Sequence, residues 1–363
     1  MNAVPNFSKT LIDWFEENQR ALPWRGETDA YKIWVSEIIL QQTRVNQGWN
    51  YYLRFTERFP NIESLAKATL QEILHIWQGL GYYSRARNMH TAAQQIMQKH
   101  GGAFPNNYLE IKNLKGIGNY TAAAIASIAF QLPYPAVDGN VLRVISRIFG
   151  IYDDISQQKT VQTITKLCLD LMDKKNAGSF NQALMELGAI QCTPKNPKCD
   201  ICPFATQCIA FTKEHQTLLP VKSIKAKIKE RYFHYFIFLK EGKTIIEQRV
   251  ANDIWKNLYQ FTLIETEMPC DISVETWRAA SLQTSRIASL PLGKSKPVFL
   301  KEIKHKLTHQ HLTIRFYVVN DFFPKTVETQ CFASLQPIPV EDLENYPFPV
   351  AIGKIVEKLG RRI

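Results

Sequence analysis

No stretch of the chain approaches the ~20 consecutive apolar residues that a helix needs to cross a bilayer, which excludes an ordinary membrane-spanning helix. The first segment, MNAVPNFSKTLIDWFEENQR, lacks the basic-then-apolar order of a secretory signal. Together these absences predict a cytoplasmic protein with no membrane partner. No tandem repeat of fixed period is found, so solenoids and propellers are set aside. Acid is in short supply: 33 Asp and Glu stand against 44 Lys and Arg, a formal net charge of +11. A basic excess of that size suits a polyanionic partner, nucleic acid first, although a merely basic soluble protein has the same balance. Cysteines number only seven, and in a reducing compartment they do not make a disulfide framework. Four of them crowd into residues 192–208, which points to a metal instead.

The 363 residues exceed one ordinary domain, and a 45% hydrophobic content is enough for packed cores. The first ~215 residues read as helical, because apolar positions recur at spacings of three and four. Examples are Leu11, Trp14 and Phe15; Ile33, Trp34 and Ile38; Ile73, Ile76 and Trp77. Short punctuation at Phe59-Pro60-Asn61 and Phe104-Pro105-Asn106 separates the runs. The character changes near Pro220. Lys222, Lys225, Lys227, Lys229 and Arg231 form a basic stretch, expected as an exposed linker within reach of phosphate. Tyr232 to Phe238 is aromatic and β-prone, and Leu312 to Val319 reads as another strand. A closing helix is expected from Val350 to Leu359. The expected fold class is α+β multidomain: an all-α domain at 1–219, a basic linker at 220–231 and an α+β domain at 232–363.

Cys192, Cys199, Cys202 and Cys208 stand as C-x6-C-x2-C-x5-C. Four thiolates in a short loop can hold a tetrahedral zinc or an iron–sulfur cluster, and the spacing alone favours neither. Pro194, Pro197 and Pro203 shape this loop, which speaks against four unrelated buried cysteines. Cys168, Cys270 and Cys331 lie apart and are expected in cores. Leu114-Lys115-Gly116-Ile117-Gly118-Asn119-Tyr120-Thr121 precedes an alanine-rich helix expected from Ala122 to Phe130. Glycines let backbone N–H groups approach a partner closely, and a helix N-terminus just beyond favours an anion. A plain connection between two helices explains the same residues. Glu37 has Trp34 and Leu40 three residues to either side, close to it on a helix. Apolar surroundings would raise its pKa and suit a general acid. An exposed or paired glutamate on an amphipathic helix is the plainer account. Asp138, in Val137-Asp138-Gly139-Asn140, is explained as readily by N-capping the helix that follows.

Several segments resemble a known family in order and spacing. They are Pro23-Trp24-Arg25, then Trp34-x-Ser36-Glu37-Ile38-x-Leu40-Gln41-Gln42-Thr43, then Gly79-Leu80-Gly81-Tyr82-Tyr83-Ser84-Arg85-Ala86, and Val137-Asp138-Gly139-Asn140-Val141. All resemble the signatures of the MutY adenine DNA glycosylases. The cysteine spacing is similar to the 4Fe-4S loop of the endonuclease III and MutY glycosylases. The glycine segment resembles a helix–hairpin–helix motif, whose N–H groups grip phosphate without reading sequence.

The resemblance implies a monofunctional enzyme of base excision repair acting on double-stranded DNA. It would extrude adenine mispaired with 8-oxoguanine or guanine and hydrolyse the N-glycosidic bond. It implies that Glu37 protonates the departing adenine and that Asp138 stabilises the oxocarbenium-like sugar, with Tyr120 and Asn140 supporting Asp138. Trp24, Arg25 and Gln182 match the wall of the adenine pocket. Gln42 and Tyr82 match side chains that wedge into the base stack, and Gln41 and Thr43 belong to the same DNA-binding segment. Gly116 and Gly118 would present N–H groups to phosphate. Cys192, Cys199, Cys202 and Cys208 would hold the 4Fe-4S cluster, with Lys195 and Lys198 placed to meet DNA. Bifunctional relatives carry lysine where this chain has Tyr120, and that lysine forms a Schiff base with the sugar. Tyrosine cannot, so base removal without efficient strand cleavage is expected.

The second domain resembles the Nudix-like C-terminal domain of MutY, which recognises 8-oxoguanine. Ile254 to Phe261 is similar to the family's W-x-x-L-x-x-F segment, with Lys256-Asn257 in place of the usual glycines. Leu307-Thr308-His309 stands where the family has F-S-H; Thr308 keeps a hydroxyl and His309 is retained. These two residues are the expected readers of the lesion. His305, His309 and His311 also suit a polar strand face or a zinc site. The Nudix catalytic signature is missing, so a reader rather than a second hydrolase is expected. Other readings are a thymine-mismatch glycosylase, an endonuclease III-like lyase, a zinc protein and a catalytically silent iron–sulfur DNA-binding or redox protein. Tyr120 argues against the lyase, and the joint presence of Glu37, Asp138, Tyr120 and Asn140 argues against silence. A monomer is expected.

Overall fold

The computed structural model describes residues 6–223, 228–267, 296–321 and 337–360. The chain divides into two compact units. One comprises residues 1–69 and 84–224, the other residues 70–83 and 225–363. Cys270, Cys331, Lys225 and Lys227 lie outside the described residues. No helix among the described residues is long and apolar enough to cross a membrane.

The first unit is built of helices: α1 (Phe7–Asn18), α2 (Ala30–Leu40), α3 (Val45–Arg58), α4 (Ile62–Lys67), α6 (Ser84–His100), α7 (Tyr108–Asn113), α8 (Asn119–Phe130), α9 (Gly139–Phe149), α10 (Gln158–Leu171), α11 (Ala177–Glu186) and α12 (Ile209–Thr212). Asp29 starts α2 by accepting the Tyr31 amide, and Ile33, Trp34, Val35, Ile38 and Ile39 are all buried. A helix apolar on so many sides belongs inside a unit rather than on its surface. The alanines of α8 keep its side chains small where it packs on α2 and α11. This helix starts at Asn119, three residues before the expected start, because Gly118 serves as its N-cap.

Phe7, Leu11 and Phe15 of α1 share one core with Val144 and Ile145 of α9, Cys168 of α10 and Phe180 of α11. Phe204, from the cysteine loop, joins them and stacks on Phe7 with ring centres 4.6 Å apart. Burying one such side chain stabilises the fold by about 1.5–3 kcal/mol. The loop that carries the cysteines is thus anchored by apolar packing of its own.

The second unit holds α5 (Leu70–Ile76), α13 (Val350–Gly360) and the strands β1 (Lys229–Lys240), β2 (Lys243–Thr244), β3 (Glu247–Gln248), β4 (Tyr259–Gln260), β5 (Thr262–Thr266), β6 (Val298–Lys306), β7 (Gln310–Asn320) and β8 (Ile338–Pro339). The larger sheet runs β6-β7-β1-β2-β8, with β5 also paired to β1. β1 is buried almost continuously and pairs in parallel with β7, from Lys229 opposite Gln310 to Leu239 opposite Asn320. A strand covered on both faces reads as a near-continuous apolar run, and Tyr232–Phe238 does so apart from the buried His234. The segment 70–83 belongs here through Gln71 Nε2, which donates to Asn345 O at 3.2 Å.

The end of the expected linker departs from the sequence reading. Arg231 is not an exposed linker residue but lies inside β1, buried, with Glu265 and Asp253 both bonded to its guanidinium at 2.6–2.9 Å. Lys222 is exposed, as a linker residue should be. Asn257, where glycine is usual, has φ +67. Asparagine tolerates that left-handed region better than most side chains, so the turn survives without glycine.

Candidate active site

Glu37 sits on the last turn of α2 and opens onto a cavity of about 460 Å³. Four other elements supply its walls: the segment before α2 with Arg20, Leu22, Trp24 and Arg25; α8 with Tyr120; the start of α9 with Asp138 and Asn140; and α11 with Gln182 and Glu186. Ile33, Leu40 and Val45 give the cavity an apolar side. Leu40 is therefore the neighbour expected of Glu37. Trp34 does not line the cavity, and packs edge-on against Tyr31 and Phe104 instead.

Burial pushes the Glu37 carboxyl up from 4.5 to about 7. The negative charge of Asp138 adds to the rise, while a hydrogen bond from Tyr120 and the positive charge of Arg25 oppose it. The Tyr120 hydroxyl also lies 3.2 Å from Met185 Sδ, and burial holds its proton tightly. Asp138 satisfies the capping account and faces the cavity at the same time. Its Oδ1 accepts the Val141 amide at 2.8 Å, capping α9, and its Oδ2 accepts Asn140 Nδ2 at 2.8 Å. Burial raises its pKa, and those two hydrogen bonds hold the rise back. Two carboxyls with different partners thus share one cavity, which is how a fold separates an acid from a stabilising carboxylate.

Trp24 packs against Tyr52, with ring centres 5.3 Å apart. Arg25 donates to Gln182 Oε1 at 2.6 Å and to Glu186 Oε2 at 2.9 Å. Gln41, Gln42 and Thr43 form the cavity's rim just after α2. Gln41 donates to Thr121 Oγ1 at 3.2 Å, and Gln42 is exposed with φ +56. The rim is held by Arg85, whose Nη1 donates to the carbonyls of Ile38, Ile39 and Gln41 at 2.7, 2.9 and 2.6 Å. Those carbonyls end a helix, where the regular intrahelical partners run out.

Gly116 and Gly118 lie outside the cavity, in the turn between α7 and α8. Gly116 has φ +80, and a Cβ there would meet Asn88 Cβ at 2.5 Å. Gly118 has extended backbone and open space around it. The first of the two is required by sterics and the second is not. No side chain caps the start of α8, so its first N–H groups are free of side-chain acceptors.

Cys192, Cys199, Cys202 and Cys208 line one cavity with Arg147, Phe211 and Gln216, and none is in a disulfide. Burial pushes Cys202 up to about 12 and raises Cys199 and Cys208. Thiols so reluctant to ionise in a protein interior suit a site where bound metal supplies the compensating charge. Among the described residues no three His, Cys, Asp or Glu side chains close on a point for a single ion. Four thiols lining one shared space can hold an iron–sulfur cluster. His311 pairs with Glu230 at 3.1 Å, and His305 packs beside Trp255.

Arg143, Arg147, Glu186 and Arg20 escape a reading of the sequence. Arg143 Nη2 donates to Asn140 Oδ1 at 2.9 Å, and its Nε to Cys192 O at 2.8 Å. It therefore joins the Asp138–Asn140 pair to the cysteine loop. Gly188 permits the approach, since a Cβ there would meet Asn140 Cβ at 2.6 Å. Arg147 Nη1 lies 3.4 Å from Cys192 Sγ. The signal for both arginines was their place in an apolar helix face, where a charge must find partners. Glu186 and Arg20 had no such signal. In the second unit, Thr308 and His309 are exposed in the turn between β6 and β7, and the hydroxyls of Thr308 and Tyr82 are hydrogen-bonded. Tyr82 is exposed, with φ +48.

Residues 35–170 match the HhH-GPD superfamily base excision DNA repair protein family, residues 192–208 the iron-sulfur binding domain of endonuclease III, and residues 234–358 the NUDIX domain. An adenine DNA glycosylase of Buchnera aphidicola subsp. Acyrthosiphon pisum is 37% identical over 98% of both chains. One from Buchnera aphidicola subsp. Schizaphis graminum is 38% identical over 72% of this chain and 76% of its own length. The Homo sapiens adenine DNA glycosylase is 40% identical over 60% of this chain and 41% of its own. Among solved structures, a thermostable thymine-DNA glycosylase is 29% identical with a TM-score of 0.52, over 57% of this chain and 95% of that one. A trapped endonuclease III–DNA covalent intermediate shares the fold at 20% identity and a TM-score of 0.51, over 59% of this chain and 99% of that one. A helical glycosylase unit with an iron–sulfur loop, followed by a Nudix-like α+β unit, is the arrangement these matches describe, and the chain belongs to the adenine DNA glycosylase family.

Proposed function

We propose that this chain excises adenine mispaired with 8-oxoguanine or guanine in double-stranded DNA, without cutting the strand. The observation that carries the reading is the shared cavity of Glu37 and Asp138, in which burial keeps Glu37 protonated to about pH 7. The adenine is extruded from the helix into this cavity, since the bond to be broken is inaccessible in the stack. Glu37 donates its proton to the leaving adenine as the glycosidic bond lengthens. Positive charge grows on the sugar, and the Asp138 carboxylate, held by Val141 N–H and Asn140, stabilises it. Water then completes hydrolysis at the anomeric carbon. Tyr120 hydrogen-bonds Glu37 and offers no amine for a Schiff base.

Trp24, Arg25 and Gln182 line the side of the cavity where the base would sit. Gln41, Gln42 and Thr43 at the rim, with Tyr82, are assigned to the disrupted base stack. Gly116 and Gly118 are assigned to phosphate, where uncapped N–H groups at the start of α8 favour an anion. Cys192, Cys199, Cys202 and Cys208 would hold the 4Fe-4S cluster, which supplies metal–thiolate ties that close the loop. Thr308 and His309 are assigned to the base opposite adenine. We take the enzyme to act as a monomer and to work in the cytoplasm, where bacterial DNA lies. The test is excision from a labelled duplex with adenine opposite 8-oxoguanine, beside thymine opposite guanine, with and without alkali. Cleavage at adenine only after alkali is expected. Cleavage without alkali would assign a lyase, and cleavage only at thymine a different substrate.

A further inference from the structure

Glu186 lies at the end of α11, is 3% exposed, and carries two arginines on one carboxylate. Its Oε1 accepts from Arg20 N at 3.0 Å and Arg20 Nε at 2.7 Å. Its Oε2 accepts from Arg20 Nη2 at 2.9 Å and Arg25 Nη2 at 2.9 Å. The two arginines differ in what else they can reach. The Arg20 side chain is 35% exposed and would turn to water if released. The Arg25 side chain is 16% exposed, lies over the Phe15 ring at 4.9 Å, and has a buried Nε without a hydrogen-bond partner. Released from Glu186, it faces a cavity whose other carboxyls are Glu37 and Asp138, of which Asp138 is already hydrogen-bonded twice.

We propose that Glu186 is a positioning residue for the acid of this site: it ties the Arg25 guanidinium to α11 and so keeps Arg25 from forming an ion pair with Glu37. The proposal rests on Glu37 acting as the proton donor. A carboxyl paired to a guanidinium surrenders its proton at neutral pH and can no longer protonate a leaving base. The charged and titratable groups that act on Glu37 are Tyr120 from α8, Asp138 from the start of α9, and Arg25 from the segment before α2. α3, also packed on α2, presents Val45 to the cavity. Behind Arg25 stand Arg20 and Glu186, and behind Asp138 stands Arg143. Of these, Arg25 supplies the positive charge that lowers Glu37, so where its guanidinium is held decides how strongly the acid is quenched. Gln182, the other acceptor of Arg25, is neutral and cannot replace Glu186 as a counter-charge.

The experiment measures single-turnover excision of adenine opposite 8-oxoguanine from about pH 5 to 9, at saturating enzyme, for the wild-type holoenzyme and four variants. In Glu186→Gln the alkaline limb should move down by about one unit. Excision above it should then be about tenfold slower, while the rate near pH 5 stays close to wild type. Arg20→Ala disturbs the same cluster but leaves Arg25 on Glu186, and its limb should stay in place. Arg25→Gln removes the guanidinium itself and should move the limb upward; it carries the test alone if Glu186→Gln does not fold. A uniform loss in Glu186→Gln at every pH, with the limb unmoved, would show a role in packing only and overturn the proposal, as would an unmoved limb in Arg25→Gln. The fourth variant, Glu37→Gln, separates the two readings. If it excises at wild-type rate, Glu37 is not the acid, and the failure lies in that assignment rather than in Glu186.

Discussion

Glu37 weakens the fold whenever it ionises. Its carboxyl is raised from 4.5 to about 7, so between those values the folded chain binds more protons than the unfolded one. Stability therefore falls as pH rises through that window, by an amount that a shift of this size sets at roughly 3 kcal/mol. Glu37→Gln removes the ionisation while keeping the shape. It should melt at higher temperature than wild type at pH 8 and at nearly the same temperature at pH 5, while losing excision by at least about a hundredfold. Paired melting curves at the two pH values check the stability half; equal curves at pH 8 would show that Glu37 is not held in a disfavoured charge state. Binding to a duplex containing the mispair should survive, because the variant loses a proton donor and little else. The sequence could suggest an acid here but not choose it over a solvated glutamate. The choice depends on Tyr120, Asp138 and Arg25, which come from three other segments.

At the scale of the element, the two glycines of the α7–α8 turn should separate cleanly. Gly116→Ala puts a Cβ 2.5 Å from Asn88 and a side chain at φ +80, a strain of about 1–2 kcal/mol before the clash is counted. Gly118→Ala meets nothing. Gly116→Ala should weaken duplex affinity about tenfold or more, with excision at saturating enzyme nearly unchanged. Gly118→Ala should bind as wild type, and fluorescence anisotropy on one labelled duplex compares the two. Arg143 is the other device at this scale, since it bonds both Asn140 and the Cys192 carbonyl. Arg143→Met keeps the length and removes every hydrogen bond. It should slow excision at pH values where Glu37 is still protonated and leave Cys192 less well held, seen as a lower iron content per chain. Full iron content with normal excision would refute the link. The helix periodicity around Val141 and Val144 made α9 legible. It did not show what else a buried arginine at position 143 would bond, because two of its partners lie at 188 and 192.

The whole molecule pairs a helical unit that holds both carboxyls with a second unit in which Thr308 and His309 stand exposed at a strand turn. His309→Ala should leave excision opposite plain guanine within about twofold, and reduce the preference for adenine opposite 8-oxoguanine by about 1–2 kcal/mol, a hydrogen bond's worth. Equal losses on both duplexes would assign His309 to general DNA binding or folding. The basic composition acts at this scale as well. With a net charge of +11, affinity should fall steeply with salt while the intrinsic excision rate does not. The segment 70–83 illustrates what composition hides. Its helix α5 is readable from Ile73, Ile76 and Trp77, yet it belongs with residues far along the chain, at 345 and 353.

The sequence alone determined what depends on neighbours a few residues away. Helices followed from spacings of three and four, β1 from an aromatic apolar run, and the cysteine loop from four thiols in seventeen positions. The N-cap at Asp138 and the glycine at the hairpin were equally local. Tertiary structure decided everything that required two distant segments to share a space. It placed Glu37 and Asp138 in one cavity, buried Arg231 within a strand, and set Glu186 between Arg20 and Arg25, some 160 residues away in the chain. A carboxyl's charge state is set by the water it loses and the charges it gains. Both are fixed by packing between elements, so no local pattern of residues contains them.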